Sequence, residues 1–545
     1  MRRHPSAVGK EFLRRTTAGP GGGSKSCYAR MQPLCREVKK HLWPRAMPEY
    51  PQNGQGTGYE IRGIARTRRT KSITISLYRM MIASQDLIRT IAEEVIARIE
   101  ARGGGDDGVF ETVDQAVKAA SSAQPRVAAM GLEDRERMNG IIRRICHDNA
   151  EELARIELAE TKIGRADHKA IKLRNIRLVL GTGAMRSEAA SDVTGLCLVE
   201  HAPWGVIGMV LPATHSVPTM ASNAINILAA GNTAVFSPHP TGVKVAARAL
   251  QMFNREILRE FGFANVLTMA REATIQNAEQ MFQHPDVALL CATGGPGVVK
   301  AAMKFGKRVI AAGPGNPPVV VDETADLDAA AKAIIQGASF DNNLLCIGEK
   351  EVFVVASVAD AFLGSMRRAG AVQLDSRAIE ALTRAAFTFT ETNGVRHPQV
   401  KREFIGQDTT VLAQAAGVAI PAGTDLLFGE TGEEHPFVQE EQMMPFLPVV
   451  RVPDVDAAIR ASVRAEHGYR HTAMIHSRNL ENATKMARAL NATLFVQNAP
   501  CYASLNLPSY LSHSIATPTG EGVTTPMTFT RQRRIVIGGG ALRIL

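Results

Sequence analysis

The sequence predicts an α/β protein of two lobes, each a parallel sheet covered by helices, and three observations carry that expectation. Short apolar runs alternate with longer amphipathic stretches, the rhythm of βαβ units. The rhythm occurs in both halves of the chain. At 545 residues the chain is also too long for one compact core.

Residues 84–102 place Leu87, Ile88, Ile91, Val95, Ile96 and Ile99 at three- and four-residue steps among charged residues, which predicts one apolar stripe on a helix of about five turns. Gly103-Gly-Gly-Asp-Asp-Gly108 ends it as a flexible linker. A helix detached in this way has little of its own body to pack on, so docking on a partner is expected ahead of folding back. Residues 113–120 and 134–153 read as amphipathic helices. Strands are expected at 198–201, 206–210, 234–236, 287–291 and 319–321, with helices at 219–230 and 241–261 between them. In the second half 327–338 reads as helix, and 351–355, 449–452, 472–475 and 493–496 as strands.

The net charge of +10 is uneven. Residues 1–79 carry 17 Lys and Arg against 4 Asp and Glu, so the excess lies in this leader and the remainder is slightly acidic. The leader is rich in Arg, Gly, Pro and Ser and is expected to be disordered. Its composition is that of a transit peptide, but it reads better as upstream sequence ahead of a start at Met80 or Met81, or as an inert tail. It lacks interleaved aromatics, so no nucleic-acid partner is expected. No run approaches the roughly 18 apolar residues of a membrane span. Seven scattered cysteines with no Cys-x-x-Cys pair suit a reducing compartment better than a disulfide framework or a metal site.

Cys346 lies in Ser339-Phe-Asp-Asn-Asn-Leu-Leu-Cys-Ile-Gly-Glu349, between an expected helix and an expected strand. A thiol at such a junction can meet a cleft where backbone N–H groups favour its thiolate. Taken alone, such a cysteine is more often a small core residue.

Its context changes that reading. Ala202-Pro-Trp-Gly-Val-Ile-Gly208, Leu228-Ala-Ala-Gly-Asn-Thr-Ala-Val-Phe236, Thr293-Gly-Gly-Pro-Gly297, Ala312-Gly-Pro-Gly-Asn-Pro-Pro318 and the Cys346 segment occur in that order. Together they resemble the aldehyde dehydrogenase superfamily. Ser237-Pro-His-Pro240, Val320-Val-Asp-Glu-Thr-Ala-Asp326 and Pro518-Thr-Gly-Glu-Gly522 bring the resemblance closer to one branch, the CoA-acylating acetaldehyde and propionaldehyde dehydrogenases of bacterial microcompartments. The resemblance covers about residues 108–537.

The resemblance implies two Rossmann-like α/β lobes, one NAD-binding and one catalytic, with a small β oligomerisation arm. The expected divisions are a leader at 1–79, a helix and linker at 80–107, an NAD- and CoA-binding domain at 108–313 with 191–202 as an oligomerisation hairpin, a catalytic domain at 314–515 and a C-terminal oligomerisation segment at 516–545. It implies Cys346 as the nucleophile, forming a thiohemiacetal and then a thioester. The Cys346 backbone N–H is one donor to the oxyanion. The second falls by position on Thr214, in a loop that departs from the branch's usual Ser-Thr-Asn-Pro wording. Beside it, His215 is read as catalytic or as a core or loop cap.

Hydrolytic relatives carry a water-activating Glu just before the Gly-Gly motif, and that position here is Ala311, which favours acyl transfer to coenzyme A over hydrolysis. Thr293, Gly294 and Gly295 are expected on the cofactor pyrophosphate. Ser237, Pro238 and His239 are expected along the adenosine ribose, with no strong cation for a 2′-phosphate, so NAD is favoured over NADP. Glu441 is expected at the nicotinamide ribose. Pro518-Thr-Gly-Glu-Gly522 is expected near the site mouth, or as a structural turn.

The implied activity converts a short aldehyde, propionaldehyde or acetaldehyde, with NAD and CoA into acyl-CoA. The alternatives are a hydrolytic aldehyde dehydrogenase and an inactive scaffold or cargo protein. The helix at 84–102 is similar to encapsulation peptides, which implies a shell or cargo partner and a cytoplasmic site within a microcompartment. A homodimer or homotetramer is implied as well.

Overall fold

The computed structural model describes residues 106–392, 395–506 and 509–539, all within one unit, Gln85–Leu545. The leader and the helix expected at 84–102 lie outside the described residues.

Local chemistry explains how the elements begin and end. Helix Val113–Ala129 opens with a capping box, Thr112 accepting from the Gln115 N–H while the Gln115 side chain accepts from the Thr112 N–H. It was expected to stop at 120 but runs through Pro125, because Ala116, Val117, Ala120, Ala123 and Val127 form one buried face. The helix expected at 134–153 is two, Leu132–Asp148 and Ala150–Thr161. Asn149 divides them, its Nδ2 donating back to the Ile145 carbonyl at 2.9 Å.

The first sheet is parallel, in the order Val109–Phe110, Leu267–Ala270, Thr233–Ser237, Val206–Val210, Val287–Thr293, Arg308–Ala312. From Val206–Val210 the chain winds outward on one side, then returns to start again on the other. The switch point lies between Val206–Val210 and Val287–Thr293, and in such sheets ligands bind outside the carboxyl ends of those strands. Every residue of Val206–Val210 is buried, as befits a strand covered on both faces.

The second sheet is also parallel: Val372–Gln373, Leu427–Glu430, Phe446–Val452, Glu351–Val355, Pro318–Val321, Thr472–His476, Leu494–Gln497. The loops ahead of its four adjacent strands Phe446–Val452, Glu351–Val355, Pro318–Val321 and Thr472–His476 hold Glu441, Cys346, Gly315 and His471.

Glu188–Asp192, Gly195–Pro203 and Thr530–Gly538 form a separate antiparallel sheet, with Leu198 opposite Ile535. The expected strand at 198–201 is part of it. Its last strand is exposed from Arg531 onward, Val536 to 70%. No helix among the described residues is long and apolar enough to cross a membrane.

Candidate active site

The Cys346 loop is held by a chain of side chains that begins with backbone conformation. Helix Leu327–Ser339 ends at the loop, and Asp341, Asn342 and Asn343 follow with φ of +51°, +55° and +65°. Three successive left-handed residues are costly, and Asp and Asn are the non-glycine residues that tolerate them best. Each side chain then fixes its own backbone. Asp341 Oδ1 accepts from the Arg165 N–H at 2.7 Å, and the Asp341 N–H donates to His168 Nδ1 at 2.8 Å. Asn342 Nδ2 donates to the Gly406 carbonyl and to Asp408 Oδ1. Asn343 Nδ2 bridges the Ala338 and Glu349 carbonyls, at 2.8 and 2.9 Å. Lys350 Nζ closes the loop from below, donating to Asn343 Oδ1 at 2.5 Å and to the Asn343 and Leu345 carbonyls at 3.0 Å each.

A buried ion network lies behind it. Lys172 Nζ is 2.5 Å from Asp341 Oδ2, Lys169 Nζ is 3.5 Å from the same oxygen and 3.3 Å from Glu157 Oε1. Burial opposes ionisation of Asp341, but Lys172 and Lys169 outweigh it and hold the carboxyl below its ordinary range. Both ammonium groups also donate to the Thr214 carbonyl, at 3.4 and 3.3 Å. One network therefore ties the thiol's loop to the loop at the carboxyl end of Val206–Val210.

Glycine is required at one point of contact between these loops. A Cβ on Gly315 would sit 2.6 Å from the Cys346 carbonyl oxygen and 2.9 Å from His471 Cγ.

Cys346 opens on a cavity of about 270 Å³. Ile171, Lys172 and Asn175 line it from one segment, His215 from the loop after Val206–Val210, Phe340, Leu345 and Ile347 from the thiol's own loop, and Tyr502, Ser512, His513 and Ile515 from near the C-terminus. Among the described residues that line it there is no carboxylate. Burial pushes the thiol up to about 12, with the Glu441 carboxylate adding and Lys350 and the Cys346 and Ile347 N–H groups opposing. Burial likewise raises Glu441 to about 7, against the pull of Lys350 and the Gly315 N–H.

The expected site residues separate into those the cavity unites and those it does not. Cys346 and His215 share it. Thr214 is not among its lining residues, and its carbonyl faces the lysines. Ser237, Pro238 and His239 follow the end of Thr233–Ser237, with His239 exposed and its Nδ1 2.9 Å from Thr241 Oγ1. Thr293 ends strand Val287–Thr293, but its hydroxyl is 2.7 Å from Ser514 Oγ, so it anchors the C-terminal segment. Gly294 and Gly295 are different: a Cβ on Gly295 would meet nothing within 4 Å, and on Gly294 nothing nearer than Val298 Cβ at 3.9 Å. Internal packing does not call for glycine there, so the open space fits close approach of a ligand to the backbone.

Ala311 is fully buried, and its N–H donates to Thr519 Oγ1 at 2.9 Å. Pro518 packs on Gly313, where a Cβ would fall 2.8 Å from its Cγ. The Pro518-Thr-Gly turn thus covers the end of strand Arg308–Ala312.

Sequence reasoning missed Lys169, Lys172, Asp341, Lys350 and His513. The three lysines read locally as solvated charges, and only the three-residue step between Lys169 and Lys172, beside Ala170 and Leu173 on the buried face of helix Ala166–Arg174, hinted otherwise.

Residues 85–381 match the aldehyde dehydrogenase family. The chain is 43% identical over 434 residues to the acetaldehyde dehydrogenase (acetylating) EutE of Salmonella typhimurium, covering 79% of this chain and 92% of that protein. The crystal structure of Rhodopseudomonas palustris propionaldehyde dehydrogenase with bound propionyl-CoA is similar at 40% identity and a TM-score of 0.76, over 79% of this chain and 95% of that one. A propionaldehyde dehydrogenase from the Clostridium phytofermentans fucose utilisation bacterial microcompartment is similar at 39% identity and a TM-score of 0.77, over 80% and 100%.

Proposed function

The chain belongs to the aldehyde dehydrogenase family, and we propose that Cys346 is the nucleophile through which it acts as a CoA-acylating aldehyde dehydrogenase. It converts a short aldehyde with NAD and coenzyme A into acyl-CoA. The observation that carries the choice of acyl acceptor is the absence of a carboxylate among the described residues lining the thiol's cavity, together with the buried Ala311. Water needs a general base to attack a thioester, whereas a thiol ionises far more readily.

The chain's own residues supply the following steps. Cys346 Sγ, once deprotonated, adds to the aldehyde carbon, and the carbonyl oxygen takes the negative charge. The Cys346 backbone N–H meets that charge; Thr214, absent from the cavity lining and held by its carbonyl to the lysines, is given no donor role. NAD, when bound, supplies the hydride acceptor. Gly294 and Gly295 would leave the backbone open to its pyrophosphate, Ser237, Pro238 and His239 would line its adenosine side, and Glu441 would hold the nicotinamide ribose. Loss of hydride from the adduct leaves a thioester on Sγ, and attack by the CoA thiol releases acyl-CoA and returns the cysteine.

NADH formation from propionaldehyde and NAD, with and without CoA, tests this in wild type and Cys346→Ser. Sustained turnover only with CoA, lost in the variant, is expected; equal turnover without CoA would mean that water reaches the thioester.

The partner reading rests on the sequence of 84–102 and on the microcompartment relative. An apolar stripe beyond a glycine linker suits docking on a shell or cargo protein. Deleting 84–102 is expected to spare catalysis and abolish co-localisation with shell protein by fluorescence; unchanged co-localisation would sink the reading.

A further inference from the structure

We propose that the Cys346 cavity takes an uncharged alkyl aldehyde of about six carbons, and that the enzyme prefers this length to propanal. The proposal rests on the acylating reading above and extends its substrate class.

Volume is the first ground. The cavity on which Cys346 opens measures about 270 Å³, whereas an apolar cavity of about 150 Å³ is enough to hold benzene. Propanal, with only two carbons beyond its carbonyl, leaves much of such a wall without partner atoms, and those contacts are forfeited.

The wall itself suits an alkyl chain. Ile171, Phe340, Ile347, Leu505, Leu511 and Ile515 line it, and the rings of Phe340 and Tyr502 stand 5.7 Å apart. Ile347, next to the thiol, is 2% exposed and Ile171 is 39% exposed, so apolar surface runs from the thiol outward to solvent. Nothing on the wall selects a charged tail. Lys172 Nζ is spent on Asp341 and the Thr214 carbonyl, and no carboxylate is among the described lining residues.

The cavity is also separate from the expected cofactor positions. Ser237, Pro238, His239, Gly294, Gly295 and Glu441 are all absent from its lining. A chain lying in it therefore leaves those positions to the cofactor.

CoA-dependent NADH formation from propanal, butanal and hexanal tests this. Burying one methylene is worth roughly fourfold in kcat/KM, so hexanal is expected to exceed propanal by at least about tenfold, with butanal between them. Ile171→Trp, at a helix position open enough to accept the larger ring, fills the outer part of the cavity. It is expected to lower the hexanal-to-propanal ratio by at least about fourfold, the worth of one methylene. Equal or better use of propanal by wild type would overturn the proposal and leave the acylating reading standing, whether or not the variant folds. A ratio unmoved in a variant that keeps the wild-type unfolding transition would overturn it too. Absence of CoA-dependent turnover with all three aldehydes would overturn the acylating reading and this one with it.

Discussion

Burial pushes the Cys346 thiol up to about 12, which favours its protonated form at neutral pH. Lys350 is the nearest counterweight, and it is committed to the loop through three hydrogen bonds. Neutralising Glu441, whose carboxylate adds to the rise, therefore favours the thiolate, and a carboxyl with a pKa of about 7 is readily neutralised. Asp341 does its work at a distance from the thiol. It takes Lys172, contacts Lys169 and anchors the Arg165 N–H, all while its own backbone is left-handed. Asp341→Asn would leave two buried lysines to share Glu157. Removing one member of a buried pair costs about 3–5 kcal/mol, so a matching loss of unfolding free energy in urea is expected, with a fall in kcat. Unchanged stability would show that the pairing contributes nothing. Cys346 could be found in the sequence because motifs surround it. Asp341 could not be assigned this role, because Lys172 lies 169 residues away from it.

Strands and helices with a strong local period were legible, and weak ones were not. The run at 206–210 and the four apolar residues that follow Glu351 appear as strands Val206–Val210 and Glu351–Val355. Leu267–Ala270 and Arg308–Ala312 were missed: Leu-Thr-Met-Ala and Arg-Val-Ile-Ala-Ala carry little β preference, and pairing with stronger neighbours makes them strands. The hairpin Phe387–Thr392 and Val395–Val400 was missed as well, although Phe-Thr-Phe-Thr-Glu-Thr is rich in strand-forming residues. The split at Asn149 shows the reverse failure, an uninterrupted helical period cut by one side chain that bonds its own backbone. The Pro518-Thr-Gly turn was left open between a site-mouth and a structural role. Its contacts with Gly313 and Ala311 serve the structural one, and the cavity residues Ser512, His513 and Ile515 precede it closely.

At the scale of the whole molecule, buried imidazoles set the response to acid. Burial, the first cause in each case, holds His471 and His476 down to about 4 and His513 to about 3, and His215 well below its ordinary value. The unfolded chain takes those protons near 6.5. Between 6.5 and about 4 the unfolded state therefore binds more protons, and stability falls as pH drops through that window. Glu349 and Glu441 act oppositely: both are raised to about 7, and the stability they contribute below 4.5 is lost as pH rises through 7. Burial raises Glu351, Glu440 and Glu466 as well and lowers His168, His239 and His435, so seven lowered imidazoles stand against five raised carboxyls among the described residues, and net destabilisation on acidification is expected. Unfolding free energy should decline from pH 6.5 to 4.5 by about 1.4 kcal/mol per pH unit for each net proton. Urea titrations across that range measure it, and a flat or rising profile would contradict it.

The sequence by itself determined the two-lobed parallel architecture and the place of Cys346 between a helix and a strand. Each of these is written in contiguous residues, as a period or a motif, and local chemistry is enough to read it. The tertiary structure alone decided which side chains the thiol meets. Lys172, His215, Cys346 and His513 come from four segments far apart in sequence, and one cavity unites them. That juxtaposition follows from long-range burial, which no local pattern encodes.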